Sequence, residues 1–496
     1  MTHGAVASGD IYSADAGAAI LEAGGNAVDA AVAAALVACV TLPTMTSLGG
    51  GGLFTMLVDG RVTVCDHFAS VPGIKLKNRG PRELDLVTVD FEGISVDFRV
   101  RAPSIAVPGT VAGLWEVQLR HGRLPLREVA KPAIDMARRG FVVTQGQRKA
   151  FLLLDEIFRM TPEAWALLSN DDEVAREGET LQNVQLADTL ACLVEEGPAA
   201  FYEGDIASAI VEASEGWLTP QDLMAYGAHF REPLEGTYRG WTMRFAAMPS
   251  VTGGMVMSAL QYLAEGAPLP GQLGVEGTRR LAEAMRRAQA TRTHEYETRL
   301  FEDGYLQSLF AGCPGGNTMH ISTADDEGNL VSYTTTVGES AGLVAPGTGV
   351  ILNNFLGEED ILPAGGMGAA GKRMMTSMCP VVMSDGHGTR VALGSAGSAR
   401  IKSSILQIIL NVIDRGMSLR EAVLVPRIHV EDDTLYVEGY GRTEAEVDAL
   451  RPLSESFEAT WDCGFFFGGA QAVLQGPKGF QTGADEERRG CVARIV

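Results

Sequence analysis

Over the first forty residues the apolar positions crowd together instead of alternating with polar ones. Ser13 is placed to cap a helix over residues 14–23, which Gly24-Gly25 would stop. Asn26 is placed to cap a second helix running to Cys39, ahead of Pro43. That second stretch is apolar almost all round, the pattern of a helix buried on every face. Four successive glycines follow, Gly49 to Gly52, and then residues 54–58 and 61–66 flank Asp59-Gly60 in the manner of a β-hairpin. From Val107 to about Leu300 the pattern predicts mainly helix, broken near Pro125, Pro162, Pro220 and Pro249. Within 278–292, for instance, Leu281, Ala284, Met285 and Ala288 share one helical face.

At Thr318 the character changes. Residues 318–324 and 329–336 are strand-like and are joined by Asp325-Asp326-Glu327-Gly328, so they read as a hairpin. Residues 350–354 and 378–384 add strands, and Asp385-Gly386-His387-Gly388 turns the chain into 389–393. Gly394-Ser395-Ala396-Gly397-Ser398 then leads into a helix over 402–414. Helices dominating the first part and strands the second predict an α+β layered unit. No internal repeat or low-complexity tract interrupts it.

Composition narrows the function classes. The 496 residues are 46% hydrophobic and 21% charged, enough to build a large core with no metal or disulfide to hold it. Forty basic against 62 acidic side chains give a net charge of −22, which repels phosphate backbones and anionic lipid. Neither nucleic acid nor membrane is an expected partner. The seven cysteines are scattered, odd in number and never in C-x-x-C spacing, which suits reduced thiols better than a disulfide framework or a zinc site. Residues 1–10 carry neither a basic region nor an apolar stretch, and the uncharged run 30–40 is too short to span a bilayer. A soluble, cytoplasmic protein is the expectation.

Three familiar motifs fail on their context. Gly366-Met367-Gly368-Ala369-Ala370-Gly371-Lys372 fits G-x-G-x-x-G and most of a phosphate loop. However, Ile361-Leu362-Pro363 is a poor preceding strand, and Arg373 stands where a magnesium-binding hydroxyl belongs. The eight histidines form no H-E-x-x-H, and there is no G-x-S-x-G elbow. No metal and no cofactor are expected.

Taken alone, Thr318 is a β-branched residue at a strand start. Its neighbours along the chain give it meaning. Glu22-Ala23-Gly24-Gly25-Asn26-Ala27-Val28-Asp29-Ala30-Ala31, the glycine run at 49–52, and Val107-Pro108-Gly109-Thr110 occur in that order. So do His121-Gly122-Arg123-Leu124-Pro125, Leu218-Thr219-Pro220-Gln221-Asp222-Leu223 and Thr318-Met319-His320-Ile321-Ser322. Leu352-Asn353-Asn354, Thr376-Ser377-Met378-Cys379-Pro380 and Gly394-Ser395-Ala396-Gly397 complete the series. Over nearly its whole length the chain resembles the γ-glutamyltranspeptidases, a family of N-terminal-nucleophile hydrolases. The resemblance implies a four-layered αββα sandwich made as one chain and cut between Asn317 and Thr318. A large chain 1–317 and a small chain 318–496 would result, with Thr318 as nucleophile and a small molecule as substrate. Cutting there has a chemical logic. A hydroxyl needs a base, and cleavage frees an α-amine whose pKa of about 7.7–8.0 lets it serve.

The hairpin centred near Glu327 places Thr336 opposite Thr318, and the matching threonine of the family hydrogen-bonds the nucleophile. Gly397 and Ser398 match the paired glycines whose N–H groups form the family's oxyanion hole, with serine in the second place. Thr376 and Ser377 match the hydroxyl pair that contacts the substrate carboxylate.

Departures gather on the γ-glutamyl recognition groups. Phe68 stands where the family has its carboxylate-binding arginine, Gly338 replaces an asparagine, Phe355 a glutamine, and Glu358 the aspartate that pairs the substrate amine. Phenylalanine cannot give the bidentate clamp of arginine. The expectation is a less polar pocket and an amide or acyl substrate outside the usual γ-glutamyl compounds. Four readings stay open. They are an amidohydrolase or acylase, a C–C bond hydrolase of an antibiotic pathway to 4-alkyl-proline units, a true glutathione γ-glutamyltransferase, and an inactive binding relic.

Overall fold

The computed structural model describes residues 2–76, 82–91, 94–290, 293–300, 302, 318–358, 361–362 and 368–496. The helices at the start arise from local capping. Asp10, rather than Ser13, caps the first: its side chain accepts from Ser13 N, and the helix runs Ile11–Glu22. Ser13 lies inside the helix, where its hydroxyl bonds back to Asp10. Asn26 and Asp29 form a reciprocal capping box for the helix Ala27–Thr41, every residue of which is buried.

Two antiparallel sheets lie at the centre. The first has seven strands in the spatial order His229–Arg231, Arg61–His67, Gly51–Val58, Leu330–Thr336, Met319–Asp325, Gly4–Ser8 and Val492–Ile495. The second has six, ordered Leu234–Tyr238, Trp241–Phe245, Val381–Ser384, Arg390–Ala396, Gly469–Gly476 and Gly479–Ala484. Helix Ala27–Thr41 packs on the first sheet, with Ile11–Glu22 and Leu126–Arg139 beside it. Helices Thr252–Ala264, Val275–Ala290 and Ile401–Ile413 share the second core with the strands of the other sheet. The order of layers is helix, sheet, sheet, helix, as the resemblance implied.

The region 107–300 departs from the mainly helical expectation. Leu234–Tyr238 and Trp241–Phe245 pair as a hairpin that builds one edge of the second sheet, and His229–Arg231 closes an edge of the first. Short edge strands of this kind are stabilised by partners far away in sequence, which a local pattern does not reveal. The strand expected over 350–354 is also shorter, Val350–Ile351, paired with Val344–Ala345.

The glycine run fits a close approach of chains. A Cβ on Gly50 would stand 2.1 Å from the carbonyl oxygen of Thr336, and one on Gly49 equally close to that of Ile351. Only hydrogen can occupy those positions.

The hairpin Met319–Asp325/Leu330–Thr336 occupies the middle of the first sheet, in register Met319↔Thr335 through Ala324↔Leu330. Its turn is organised by one buried carboxylate. Asp325 Oδ1 accepts from the backbone N–H of Glu327 (3.0 Å) and Asn329 (2.9 Å). Its Oδ2 accepts from Asn329 Nδ2 (2.8 Å) and from Ala27 N at the helix start (3.0 Å). One side chain thus fixes the turn and ties it to the buried helix. Asp325→Ala leaves these donors without their acceptor, and the expected loss of stability is about 2–4 kcal/mol. Urea unfolding monitored by circular dichroism would reveal it, and an unchanged midpoint would contradict the anchoring role.

Candidate active site

Thr318 precedes the strand Met319–Asp325 and is almost fully buried, 1% exposed. Continuing the hairpin register by one rung sets Thr318 opposite Thr336, as the sequence suggests. Thr336 is paired on its other side with Gly51, and its Oγ1 accepts from Gly338 N at 2.8 Å. Thr318 lines a small cleft of about 30 Å³ together with Met45, Met319, Ala396, Phe465, Gln471 and Arg489, among others. Asn317, on the other side of the expected cut, lies outside the described residues.

Ala396 ends the strand Arg390–Ala396 of the second sheet, and Gly397 and Ser398 follow. Gly397 has φ 112° and Ser398 φ 55°, after which the chain enters a short 3₁₀ turn and the helix Ile401–Ile413. A Cβ on Gly397 would meet Gly468 Cα at 2.6 Å, so this position requires glycine for space as well as for φ. Successive residues at positive φ before a helix turn backbone N–H groups outward, an arrangement suited to an oxygen anion.

A polar ladder extends from Thr318 along the hairpin face turned to the second sheet. His320 Nδ1 lies 2.8 Å from Thr334 Oγ1, and its Nε2 2.9 Å from Ser322 Oγ. The Ser322 hydroxyl donates across to the Gln471 carbonyl (3.2 Å), and the Ser332 hydroxyl to that of Leu393 (2.9 Å). Burial holds His320 neutral, with its pKa pushed down to about 3. His320 stands in the Thr318-Met319-His320 motif at period two from Thr318, a signal the sequence reading gave no role.

None of the six residues expected at the substrate is among those lining the Thr318 cleft, although Gly338 N donates to Thr336 Oγ1 beside it. Phe68 and Phe355 pack on one another, ring centroids 4.7 Å apart, inside an apolar cluster with Leu53, Val64, Met374 and Met378. Both rings are sealed from solvent. The two aromatic residues are therefore packed into an apolar core cluster. Gly338, at φ 66°, faces Asn354 and Glu358, and a Cβ there would come within 2.1 Å of Asn354 Oδ1 and 2.5 Å of Glu358 Oε1. A side chain at that position would require Asn354 and Glu358 to shift. Thr376 Oγ1 accepts from Met378 N (3.2 Å), while Ser377 Oγ is buried with no partner among the described residues. Arg373, which approaches position 68, does not replace the absent arginine: its Nε lies 3.2 Å from Asp66 Oδ1 and its Nη1 donates to the Phe68 carbonyl.

Arg489 is the residue the sequence reading missed. It sits near the end of the chain, far from every motif, yet it lines the cleft with Thr318. Among the described residues no group of three or more His, Cys, Asp or Glu is placed to hold a metal ion. No helix there is long and apolar enough to cross a membrane.

Comparison with known proteins gives these elements a context. A family profile described as gamma-glutamyltranspeptidase matches residues 13–311 and 298–495. The chain is 32% identical to a glutathione hydrolase proenzyme of Pseudomonas aeruginosa, over 98% of this chain and 94% of that one. It is 34% identical to the acylase ACY 1 proenzyme of Pseudomonas sp. strain SE83, over 97% and 92%. Its fold is similar to that of a cephalosporin acylase from Bacillus halodurans, with a TM-score of 0.81 at 22% identity, covering 100% of this chain and 96% of the other.

Three buried histidines make stability depend on pH. Burial, the leading cause for each, lowers His67 and His320 to about 3 and His429 to about 4. Unfolded, each titrates near 6.5, so between pH 6.5 and 5 the unfolded chain binds protons that the folded one refuses. Stability is therefore complete above that window and declines as pH falls through it, by up to about 1.4 kcal/mol per pH unit for each histidine. Denaturation midpoints across this range should fall, and less steeply in His320→Gln. A flat profile from pH 6.5 to 5 would refute the neutral, buried state of these rings.

Proposed function

The chain belongs to the γ-glutamyltranspeptidase family, and from that premise we propose that it is a self-cleaving N-terminal-threonine hydrolase of a small amide or acyl compound. The observation that carries this reading is the shared cleft. Thr318, at the start of a central strand, lines it together with Ala396, the residue immediately before the Gly397-Ser398 turn. The shared lining supports a nucleophile from one sheet meeting oxyanion donors that follow a strand of the other.

In this reading Thr318 Oγ attacks the carbonyl carbon of residue 317 and the peptide becomes an ester, which water then hydrolyses. Two chains result, 1–317 and 318–496, held together because strands from both sides of the cut share the first sheet. The new α-amine takes the proton of Thr318 Oγ as this oxygen attacks the substrate carbonyl. The developing oxyanion is received by the N–H groups of Gly397 and Ser398, a fixed pair that needs no reorganisation as charge forms. The amine of the amide leaves with the proton, and water releases the acyl group from Thr318. Thr336, one rung across, orients the nucleophile.

The names of the relatives divide between glutathione hydrolase and acylase. The acylase side is favoured here by Phe68 and Phe355. An α-carboxylate and α-ammonium taken out of water both need compensation, and a sealed pair of aromatic rings at the clamp offers none.

Purified protein should run as two fragments with threonine at the new N-terminus, and Thr318→Ala should remain one uncut and inactive chain. Mass spectrometry of an intact, fully active chain would overturn the proposal. Thr336→Val should fold normally but mature or turn over more slowly, by roughly ten- to a hundredfold, since an orienting hydrogen bond is worth about 1–3 kcal/mol. Unchanged maturation and steady-state kinetics would leave Thr336 a plain strand residue.

A further inference from the structure

The cleft beside Thr318 contains a cation, Arg489, that makes no ion pair among the described residues. Arg489 is 9% exposed. Its Nη2 donates to the Phe465 carbonyl at 3.0 Å, its Nη1 reaches only Met45 Sδ at 3.9 Å, and its guanidinium lies 4.8 Å from the centre of the Phe465 ring. Its Nε is buried with no hydrogen-bond partner. Gln471, another residue of the cleft, has an equally unpartnered Oε1 while its Nε2 contacts Cys491 Sγ. An amide assigned the other way round would present a donor in its place.

The neighbouring arginines make a sharp contrast. Arg427 pairs with Asp485 at 2.7 Å and Arg488 with Glu438 at 2.7 Å, all four side chains buried. Arg489 has no carboxylate within ion-pair distance among the described residues. Burial lowers its pKa to about 10, so it is still charged at neutral pH. A desolvated charge without a partner is costly, and breaking a buried pair destabilises a protein for that reason.

The fold nevertheless clears a place for it. A Cβ on Gly469 would stand 2.4 Å from Arg489 Cδ, and one on Gly397 would stand 3.4 Å from its Nη2. The guanidinium therefore lies against the turn that follows Ala396. Among the described residues lining the cleft, Arg489 is also the only charged side chain, and none of them is Asp or Glu.

We propose that Arg489 is the recognition residue for a substrate whose acyl group ends in a carboxylate, bound in the Thr318 cleft as a monoanion. This rests on the reading of Thr318 as nucleophile. The charge and hydrogen-bond pattern select the class: one planar cation with a donor to spare, and nothing anionic among the described lining residues to receive an ammonium. A monoacyl dicarboxylate fits, whereas a zwitterionic γ-glutamyl group brings an ammonium that the cleft cannot pair. Recognition has thus moved from position 68, now filled by an aromatic ring, to the far end of the chain.

The test uses the matured two-chain protein and matched donors: glutaryl- and succinyl-p-nitroanilide, the methyl ester of each, and γ-glutamyl-p-nitroanilide. The ratio of kcat/KM for free acid over ester should be tenfold or more, with the γ-glutamyl donor below the free acids. The ratio should fall close to one in Arg489→Met and take an intermediate value in Arg489→Lys, which keeps the charge and loses the planar fork. A wild-type ratio near one overturns the inference, as does a ratio that survives in Arg489→Met. Should Arg489→Met fail to mature, an unchanged ratio in Arg489→Lys overturns it too. A Thr318-dependent enzyme with a ratio near one defeats this inference alone, whereas cleavage that persists in Thr318→Ala defeats the proposed function. If no anilide is turned over, glutarate should still raise the melting temperature of the two-chain protein, and the absence of that shift overturns the inference.

Discussion

The relation between the two sheets depends on a few hydrogen bonds that cross the gap between them. Ser322 donates to the Gln471 carbonyl, Ser332 to that of Leu393, and Val381 N donates to Ser332 Oγ. Purely apolar side chains would pack two sheets at many offsets with similar energy. A buried hydroxyl matched to one particular carbonyl admits a single offset, because any other strands a polar group in a dry interior. His320 secures the hydroxyls in turn, and Gly394 makes room for its ring, since a Cβ there would lie 2.4 Å from the imidazole. This polar seam fixes how the strand after Thr318 lies over the strand before Gly397. The geometry of the cleft follows from it.

Much of this was legible in the sequence where the determinants are local. The capping box of Asn26 and Asp29, the hairpin about Glu327 and the rung joining Thr318 to Thr336 follow from neighbours a few residues apart. Even there the competition between nearby caps was resolved by tertiary contacts. Asp10 displaced Ser13 because its second oxygen is also held by Gln147 Nε2, 137 residues away. The strands Leu234–Tyr238 and Trp241–Phe245 were hidden for a similar reason, since their stability comes from Val381–Ser384 across the sheet. Arg489 was illegible altogether. Nothing in Glu486-Glu487-Arg488-Arg489 says that one arginine is locked in an ion pair and its neighbour is not.

At positions 68 and 355 the residues alone suggest a change of polarity, and the structure adds a change of space. Replacing a polar side chain by phenylalanine suggests a pocket of lower polarity. Two such replacements in contact do something else: the rings fill the volume, and dispersion and burial reward closing it. Phe68 and Phe355 join Leu53, Val64, Met374 and Met378 in a sealed cluster, and Gly338 is pressed against Asn354 and Glu358. Arg373, the cation at hand, is held by Asp66 and by the carbonyl of Phe68 itself. Restoring an arginine at position 68 would thus require dismantling a core, which makes the change hard to reverse by single substitutions.

The retained and the altered parts differ in what they are made of. The proposed oxyanion donors are backbone N–H groups, and the proposed base is a chain terminus. A side-chain substitution removes neither. Ser398 illustrates this. Serine at φ 55° costs on the order of 1 kcal/mol relative to glycine, yet its N–H keeps the direction that the turn dictates. Substrate recognition, by contrast, resides wholly in side chains, at positions 68, 338, 355 and 358 in the resemblance and at 489 in the proposal. Sequence drift then acts unequally on the two. A chemistry carried by backbone and terminus persists while the groups that choose the substrate are exchanged, and a family can keep its reaction while its members part company over what they cleave.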